Sequence, residues 1–181
     1  MWDPKMFITQ RLTRFAKDER GVSALEFAMV LPLMVTLYLG GVAVSQGISV
    51  DRKVTLAART VADLTSQVSN VTTADVTELL KAAGAILAPF PMTKAKVSVA
   101  SLKIDANSKV TMEWSKSEPA GTVTMPTVPT ALVVPNTYLI WGETTYSYTP
   151  AIGEKLTGTL NLKDQIFMRP RLSEKVTCTG C

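Results

Sequence analysis

Hydrophobic positions are concentrated in one part of this 181-residue chain. None of the 24 residues from Phe27 to Val50 is charged, and Leu, Val, Met, Ala and Phe dominate. As a helix rising about 1.5 Å per residue, this run would span roughly 36 Å, enough to cross a bilayer core of about 30 Å. It is also longer than the apolar core of a cleavable secretory signal, which is usually about 7–15 residues. The pattern predicts a transmembrane helix over residues 22–50.

Four residues of the run bear on how the helix bends and packs. Phe27 opens the run, and Pro32 predicts a kink or a local loosening, which spanning helices tolerate. Gly40 and Gly41 make the distal half small-sided. Small residues permit close approach of another helix, although glycine is also an ordinary constituent of membrane helices.

After Val50 the pattern becomes amphipathic, which predicts that the same helix continues to about Val68. Its apolar positions follow 3.6-residue spacing: Val50, Val54, Ala57, Ala58, Val61, Leu64 and Val68. A second helix is expected from Thr72 or Thr73, because Thr72 and Asp75 have capping-box spacing. Pro89 and Pro91 would end it.

The remainder predicts strands. Apolar residues alternate over 97–104 and 110–114 around a turn at 105–108, with a break in phase at Ala100-Ser101 that suggests a bulge. Prolines over 117–136 predict a long loop. Residues 137–148 have the strongest strand pattern, and a weaker strand is expected over 165–168. The fold class is therefore α+β, with one long helix packed on a small antiparallel sheet.

Composition narrows the function to binding or structural roles. The chain has no histidine, which excludes His-based acid–base and nucleophile constellations and removes the commonest transition-metal ligand. The formal charge is +4, and no basic cluster is interleaved with aromatics, so no nucleic-acid partner is expected. Carboxylates lack metal-ligand spacing, and the aromatics that alternate along strands fit a core better than a ligand platform. We expect neither a catalytic site nor a cofactor.

Cys178 and Cys181 form a C-x-x-C at the end of the chain. A redox motif needs its first cysteine at a helix N-terminus, and that context is missing. A local disulfide in an oxidising compartment is favoured. It closes a very small loop, so on the chain-entropy model it adds little stability.

The segment before the run is basic, with five Lys or Arg and three acidic residues in positions 1–20. This favours a cytoplasmic N-terminus, although Arg52 and Lys53 follow the run immediately. Glu26 stands at the start of the apolar helix, five residues after Gly21. An ionised carboxylate in hydrocarbon costs about 2.5–3.5 kcal/mol on insertion scales, so Glu26 needs either an interfacial position or a partner.

The string Asp-Glu-Arg-Gly-Val-Ser-Ala-Leu-Glu-Phe-Ala-Met-Val-Leu-Pro-Leu at 18–33 resembles the N-terminus of TadE-like proteins, minor pilins or pseudopilins of the tight-adherence (Tad/Flp) pilus system. The Arg-Pro-Arg at 169–171, after a predicted strand, also resembles that family. The resemblance implies cleavage between Gly21 and Val22 by a prepilin peptidase. It also implies that Glu26 neutralises the new α-amine of a neighbouring subunit during assembly.

Together these features predict a cytoplasmic leader at 1–21, a transmembrane helix at 22–50 and a periplasmic α+β domain at 51–181. With the resemblance, they imply a non-enzymatic, pilin-like minor pilin or assembly factor of the bacterial inner membrane. The pilus could also incorporate it, and its process would be adhesion. Its expected partners are the membrane, a prepilin peptidase, and the major and minor pilins of its system. The alternatives are an uncleaved membrane-anchored periplasmic scaffold and, much less favoured, an anchored hydrolase.

Overall fold

The computed structural model describes residues 20–150 and 158–181 of the chain. Positions 1–19 of the expected leader lie outside the described residues. The chain divides into two compact units, one ending at Val42 and the other comprising Ala43–Cys181. We call the second unit the globular domain.

Two helices and six strands make up the described structure, together with short 3₁₀ turns at Met92–Lys94 and Thr130–Leu132. In chain order they are α1 (Arg20–Ser66), β1 (Asn70–Thr72), α2 (Thr73–Ala85), β2 (Ala95–Ile104), β3 (Val110–Glu118), β4 (Thr137–Tyr148), β5 (Leu160–Met168) and β6 (Thr177–Thr179). The predicted α+β fold, with a long apolar helix, a second helix and an antiparallel sheet, is confirmed.

The main sheet has the strand order β3-β2-β4-β5, and every neighbouring pair in it is antiparallel. The expected turn between β2 and β3 is held by the Asp105 carboxylate, which accepts from the N–H groups of Asn107 and Lys109 at 2.8 Å each. Ser108 takes the left-handed conformation there, with φ of 61°. β1 and β6 form a separate parallel pair, which the sequence pattern did not predict.

A bulge occurs next to the predicted position, but its extra residue is on the neighbouring strand. β2 pairs with β4 without interruption from Ala95 to Ile104. The register shift occurs between Ser101 and Leu102 against β3, where Glu113 is the extra residue. The phase break at Ala100-Ser101 has another cause, because the apolar residues of β2 switch from one covered face of the sheet to the other.

The two faces of the sheet are covered by different parts of the chain. On one face, Val97 and Val99 pack with Val61 of α1 and Leu80 of α2. On the other face, Leu102 and its neighbours pack against the proline-rich loop, whose contacting residues are Val123, Val128, Leu132 and Val133. That loop supplies apolar cover where the helices do not reach.

The globular part of α1 runs close to the sheet at Gly142. A Cβ atom added there would lie 2.7 Å from the Ala58 carbonyl oxygen, 2.9 Å from a Val61 methyl and 3.0 Å from the Ala62 Cβ. Glycine in the interior of a strand commonly marks such a close backbone approach. The absence of a side chain at this position therefore sets the distance between α1 and β4.

The start of α2 matches the capping prediction. The Thr72 side chain accepts from the Asp75 N–H at 3.2 Å, and the Asp75 carboxylate accepts from the Thr72 N–H at 2.8 Å. These reciprocal bonds satisfy helix N–H groups that have no partner within the helix. They also hold the pKa of Asp75 below its ordinary value, first through the Thr72 backbone bond and then through the Thr72 hydroxyl.

Candidate functional site: the apolar helix and its distal anchor

The part of α1 before the globular domain is apolar on all sides and uncovered. Eleven large hydrophobic side chains between Val22 and Tyr38 are exposed, from 42% at Leu31 to 74% at Met29. The consecutive positions Met29, Val30 and Leu31 are all exposed, so no single face is set aside for a protein core. A helix that is hydrophobic all round belongs in a membrane or among other apolar helices.

Among the described residues, α1 is the one helix long and apolar enough to cross a membrane. Val50, the last residue of the uncharged run, is fully buried in the core of the globular domain beside Val54 and Tyr146. The end of the uncharged run is therefore also part of the globular domain.

Gly21, Val22 and Glu26 all lie on α1, and all three residues are exposed. A Cβ added at Gly21 would meet nothing within 4 Å, so the backbone there is open to approach. Val22 and Glu26 are four residues apart and share one helix face, separated by about 6 Å of rise. Phe27, which follows Glu26, is 60% exposed.

Pro32 lies inside α1 without ending it. Its ring removes one helical N–H donor. Four residues on, the Thr36 hydroxyl donates to the Pro32 carbonyl at 2.7 Å. Nothing lies within 4 Å of a Cβ added at Gly40 or Gly41, so both glycines stay open to an approaching partner.

The distal end of α1 is held by the Arg-Pro-Arg segment. The Arg171 N–H donates to the Ser66 carbonyl at 2.8 Å, and the Arg171 guanidinium forms an ion pair with Asp63. A cation near a helix C-terminus interacts favourably with the helix dipole, and the N–H satisfies a carbonyl left over at the helix end. The sequence singled out the Arg-Pro-Arg at 169–171 but did not indicate Asp63 as the partner of Arg171.

Lys53 is a second contact that sequence reasoning missed. Its ammonium donates to the Ile86 carbonyl at 3.1 Å and to the Ala88 carbonyl at 2.5 Å, just beyond the end of α2. The sequence suggested only a charge beside the membrane. Lys53 instead ties α1 to the C-terminal end of α2.

The end of the chain packs onto the domain. The buried Trp114 indole N–H donates to the Val176 carbonyl at 2.8 Å, and the Thr73 hydroxyl donates to the Gly180 carbonyl at 2.7 Å. Cys178 and Cys181 are joined by a disulfide, with Cα atoms 5.7 Å apart. Cys178 also contacts the core cluster of α1 and α2.

Four aromatic residues of the sheet, Trp114, Trp141, Tyr146 and Tyr148, are buried core residues. Trp141 is 1% exposed, and its indole N–H donates to the Gln165 side chain at 3.0 Å across the β4–β5 pair. Burial raises the pKa of Tyr146, and the nearby Tyr148 adds to that shift. Within residues 20–150 and 158–181, no three Cys, Asp or Glu side chains are grouped as metal ligands would be.

Comparison with known proteins gives one result at the N-terminal helix. The sequence model of the family described as TadE-like protein matches residues 21–63, which is nearly the whole of α1. No curated protein and no solved structure matches the chain. Over residues 21–63 the predicted resemblance is confirmed. The match stops short of the Arg-Pro-Arg at 169–171, so that part of the resemblance stays a prediction.

Proposed function

Taking the TadE-like helix at residues 21–63 as the premise, we propose that this chain is a minor pilin or pseudopilin of a Tad/Flp pilus. It would be processed after Gly21, carried in the inner membrane by α1, and assembled with other pilins of its system. The family match associates the chain with that pilus system, and processing and assembly are the steps we add. The proposed role is structural and non-enzymatic.

The observation that carries the proposal is the uncovered apolar surface of α1 between Val22 and Tyr38. In a membrane, lipid covers it, and in a fibre the helices of other subunits would cover it equally well. A surface that suits both environments is what a subunit needs if it leaves the membrane for a fibre. The open backbone at Gly40 and Gly41 supports close helix contact in the second state.

The geometry of the α1 start supports processing at Gly21. Glycine weakens a helix by about 1 kcal/mol relative to alanine, and a peptidase needs the scissile backbone out of the helix. After cleavage, the new α-amine of Val22 would share a helix face with Glu26 one turn away. The carboxylate is then positioned to pair with an amine at the same depth, including that of a neighbouring subunit.

The excess of basic residues before the uncharged run supports a cytoplasmic N-terminus. Arg52 and Lys53 are the two basic residues directly after the uncharged run, and they count against this orientation. Because the Lys53 ammonium is bonded to two carbonyls of the globular domain, Arg52 is the one of the two that is left exposed. Lys53 keeps its charge in these hydrogen bonds, so the expected orientation rests on the five basic residues at positions 1–20 against these two.

Processing is tested by co-expressing the chain with a prepilin peptidase and measuring the mass of the product. We expect a chain that starts at Val22, and no cleavage with a catalytically inactive peptidase. As a control, Gly40→Ala changes a glycine of the same helix away from the cut, and this variant should be cleaved like the native chain. A product that still contains Met1–Gly21 would refute processing and favour the uncleaved scaffold.

Assembly is tested separately with Glu26→Ala. We expect normal cleavage but loss of the protein from sheared pili, because the buried amine of a neighbouring subunit would lack its counter-charge. Glu78→Ala, which removes an exposed carboxylate from α2, should be incorporated like the native chain. Normal incorporation of the Glu26 variant would show that this carboxylate has no role in assembly.

A further inference from the structure

The globular domain has an apolar pocket of about 300 Å³ beside the first turns of its share of α1. One wall is the helix, through Val44 and Ile48, and the opposite wall is the end of β4 and the start of β5, through Tyr148 and Leu160. Asp51 is the charged residue of the lining. The pocket is therefore an apolar recess with its polar boundary on one side.

The rim of this pocket is open while its floor is closed. Val44, Ile48 and Leu160 are 63%, 51% and 45% exposed. Tyr148 is buried beneath them, because its ring lies against Gly47 and its hydroxyl donates to the Ala43 carbonyl at 3.3 Å. With the hydroxyl satisfied inside the domain, the recess offers a partner a hydrocarbon surface.

The position of the pocket along α1 identifies the partner. Val44 and Ile48 belong to the uncharged run that begins at Phe27. At about 1.5 Å per residue, they stand roughly 25–32 Å along the helix from Phe27, which is the far edge of a bilayer core of about 30 Å. Asp51 and Arg52 then mark the first charged level beyond the run.

We propose that this pocket is a lipid-contacting surface, in which the rim formed by Val44, Ile48 and Leu160 enters the acyl-chain boundary of the leaflet where α1 leaves the membrane. The inference rests on the membrane-anchor part of the proposed function and does not depend on processing or on entry into a pilus. It makes the start of β5, and not α1 alone, part of the membrane contact. Such a second contact would hold the globular domain to the leaflet through two segments of the chain.

The charge of the lining predicts which lipids suffice. Among the described residues that line the pocket there is no Lys or Arg, and the charged one is the acidic Asp51. Such a lining has no basic residue to attract an anionic headgroup. The acyl chains of zwitterionic lipids are enough to cover its apolar rim. Contact should therefore occur in purely zwitterionic bilayers.

The test is photolabelling of the full-length protein in zwitterionic liposomes that contain a phospholipid with an acyl-chain diazirine. Trypsin would then separate three regions at existing Lys and Arg residues: 21–52 with the anchor, 156–163 with Leu160, and 172–175 with Leu172. Leu172 is the matched control, because it is a leucine with even greater exposure, 73%, on another part of the domain. We expect labelling of 156–163 to exceed that of 172–175 several-fold.

Each other outcome is informative. Labelling of 21–52 with none above the Leu172 level at 156–163 would overturn this inference and leave the membrane anchor standing. Absence of labelling at 21–52 would overturn both. Labelling of 156–163 only when anionic lipids are present would also overturn it, since the contact would then depend on headgroup charge and not on the acyl chains.

A neighbouring subunit is the competing occupant, and a photoreactive leucine analogue at position 160 distinguishes it from lipid. Cross-links to lipid support the proposal, while cross-links to a second copy of the chain in its place refute it. Leu160→Asp should reduce labelling of the pocket several-fold, and Leu172→Asp should leave it unchanged. Equal thermal unfolding of the two variants would show that the loss is not caused by misfolding.

Discussion

Replacement of Gly142 by alanine tests the closest contact between helix and sheet. The added Cβ would meet the Ala58 carbonyl oxygen at 2.7 Å, well inside van der Waals contact. That oxygen belongs to the backbone of α1 and cannot rotate away as a flexible side chain could. Either α1 or β4 must therefore move, and Val61 and Ala62 crowd the same position at 2.9 and 3.0 Å.

The expected cost follows from two opposing effects. Overpacking of a well-filled core costs about 1–3 kcal/mol, and a rigid backbone obstacle places this site at the upper end. Replacing glycine by alanine also restricts the unfolded chain, which returns about 0.4–1 kcal/mol. The net loss should be about 2 kcal/mol, which lowers the Tm of a domain of this size by roughly 8 °C.

The assay is thermal unfolding of the full chain in detergent micelles, followed by near-ultraviolet circular dichroism of the buried Trp114 and Trp141. Gly121→Ala is the matched control, because a Cβ there lies an ordinary 3.7 Å from the Lys96 ammonium nitrogen. We expect the control to melt at or slightly above the native temperature. A Gly142→Ala variant that does the same would refute the close-approach argument.

Three further predictions use the contacts that hold the two helices. Lys53→Gln should lower the free energy of unfolding by about 1 kcal/mol in urea titrations, because two carbonyl contacts beyond α2 are lost, while the exposed Arg52→Gln should change it little. In a double-mutant cycle, Arg171→Ala and Asp63→Ala should show coupling below about 1 kcal/mol that fades with added salt, since both side chains are partly exposed. The lowered pKa of Asp75 predicts stability that is present above its ordinary value of 3.8 and lost as pH falls through the lower folded-state value, and Asp75→Asn should flatten this part of the melting profile.

Where local chemistry specifies an element, the sequence predicted it closely. β4 runs from Thr137 to Tyr148 as expected, because aromatic and β-branched residues fill it from end to end. The capping pair Thr72 and Asp75 fixed the start of α2. The outward continuation of α1 was also expected, although it ends at Ser66 and not near Val68, because the Arg171 N–H occupies the Ser66 carbonyl.

Elements that depend on distant partners were missed. The first half of β5 alternates leucine with polar residues but has no β-branched or aromatic residue, and it becomes a strand through its pairing with β4. β1 and β6 are three residues each, too short for a periodic pattern, and each exists only because the other lies beside it. Gly142 could have suggested a close approach, since a glycine interrupts the strongest strand pattern, but its neighbour α1 could not be identified from the sequence.

Of the candidate site residues, the structure places Gly21, Val22, Glu26 and Phe27 within seven residues of exposed helix, with Pro32, Gly40 and Gly41 further along it. Their roles in cleavage and packing stay predictions, since each concerns a partner molecule. The pairing of Arg171 with Asp63 could not be deduced, because 108 residues separate them and either could have formed a surface pair elsewhere.

The closure of the fold by its final segment has a consequence for biosynthesis. β6 pairs with β1 across 107 residues, and the Val176 carbonyl satisfies the Trp114 indole inside the core. When synthesis has reached Lys175, β1 still lacks its partner strand and the Trp114 indole still lacks its hydrogen-bond acceptor. A chain released before Val176 would lack this closure, and its core would be more open to proteases.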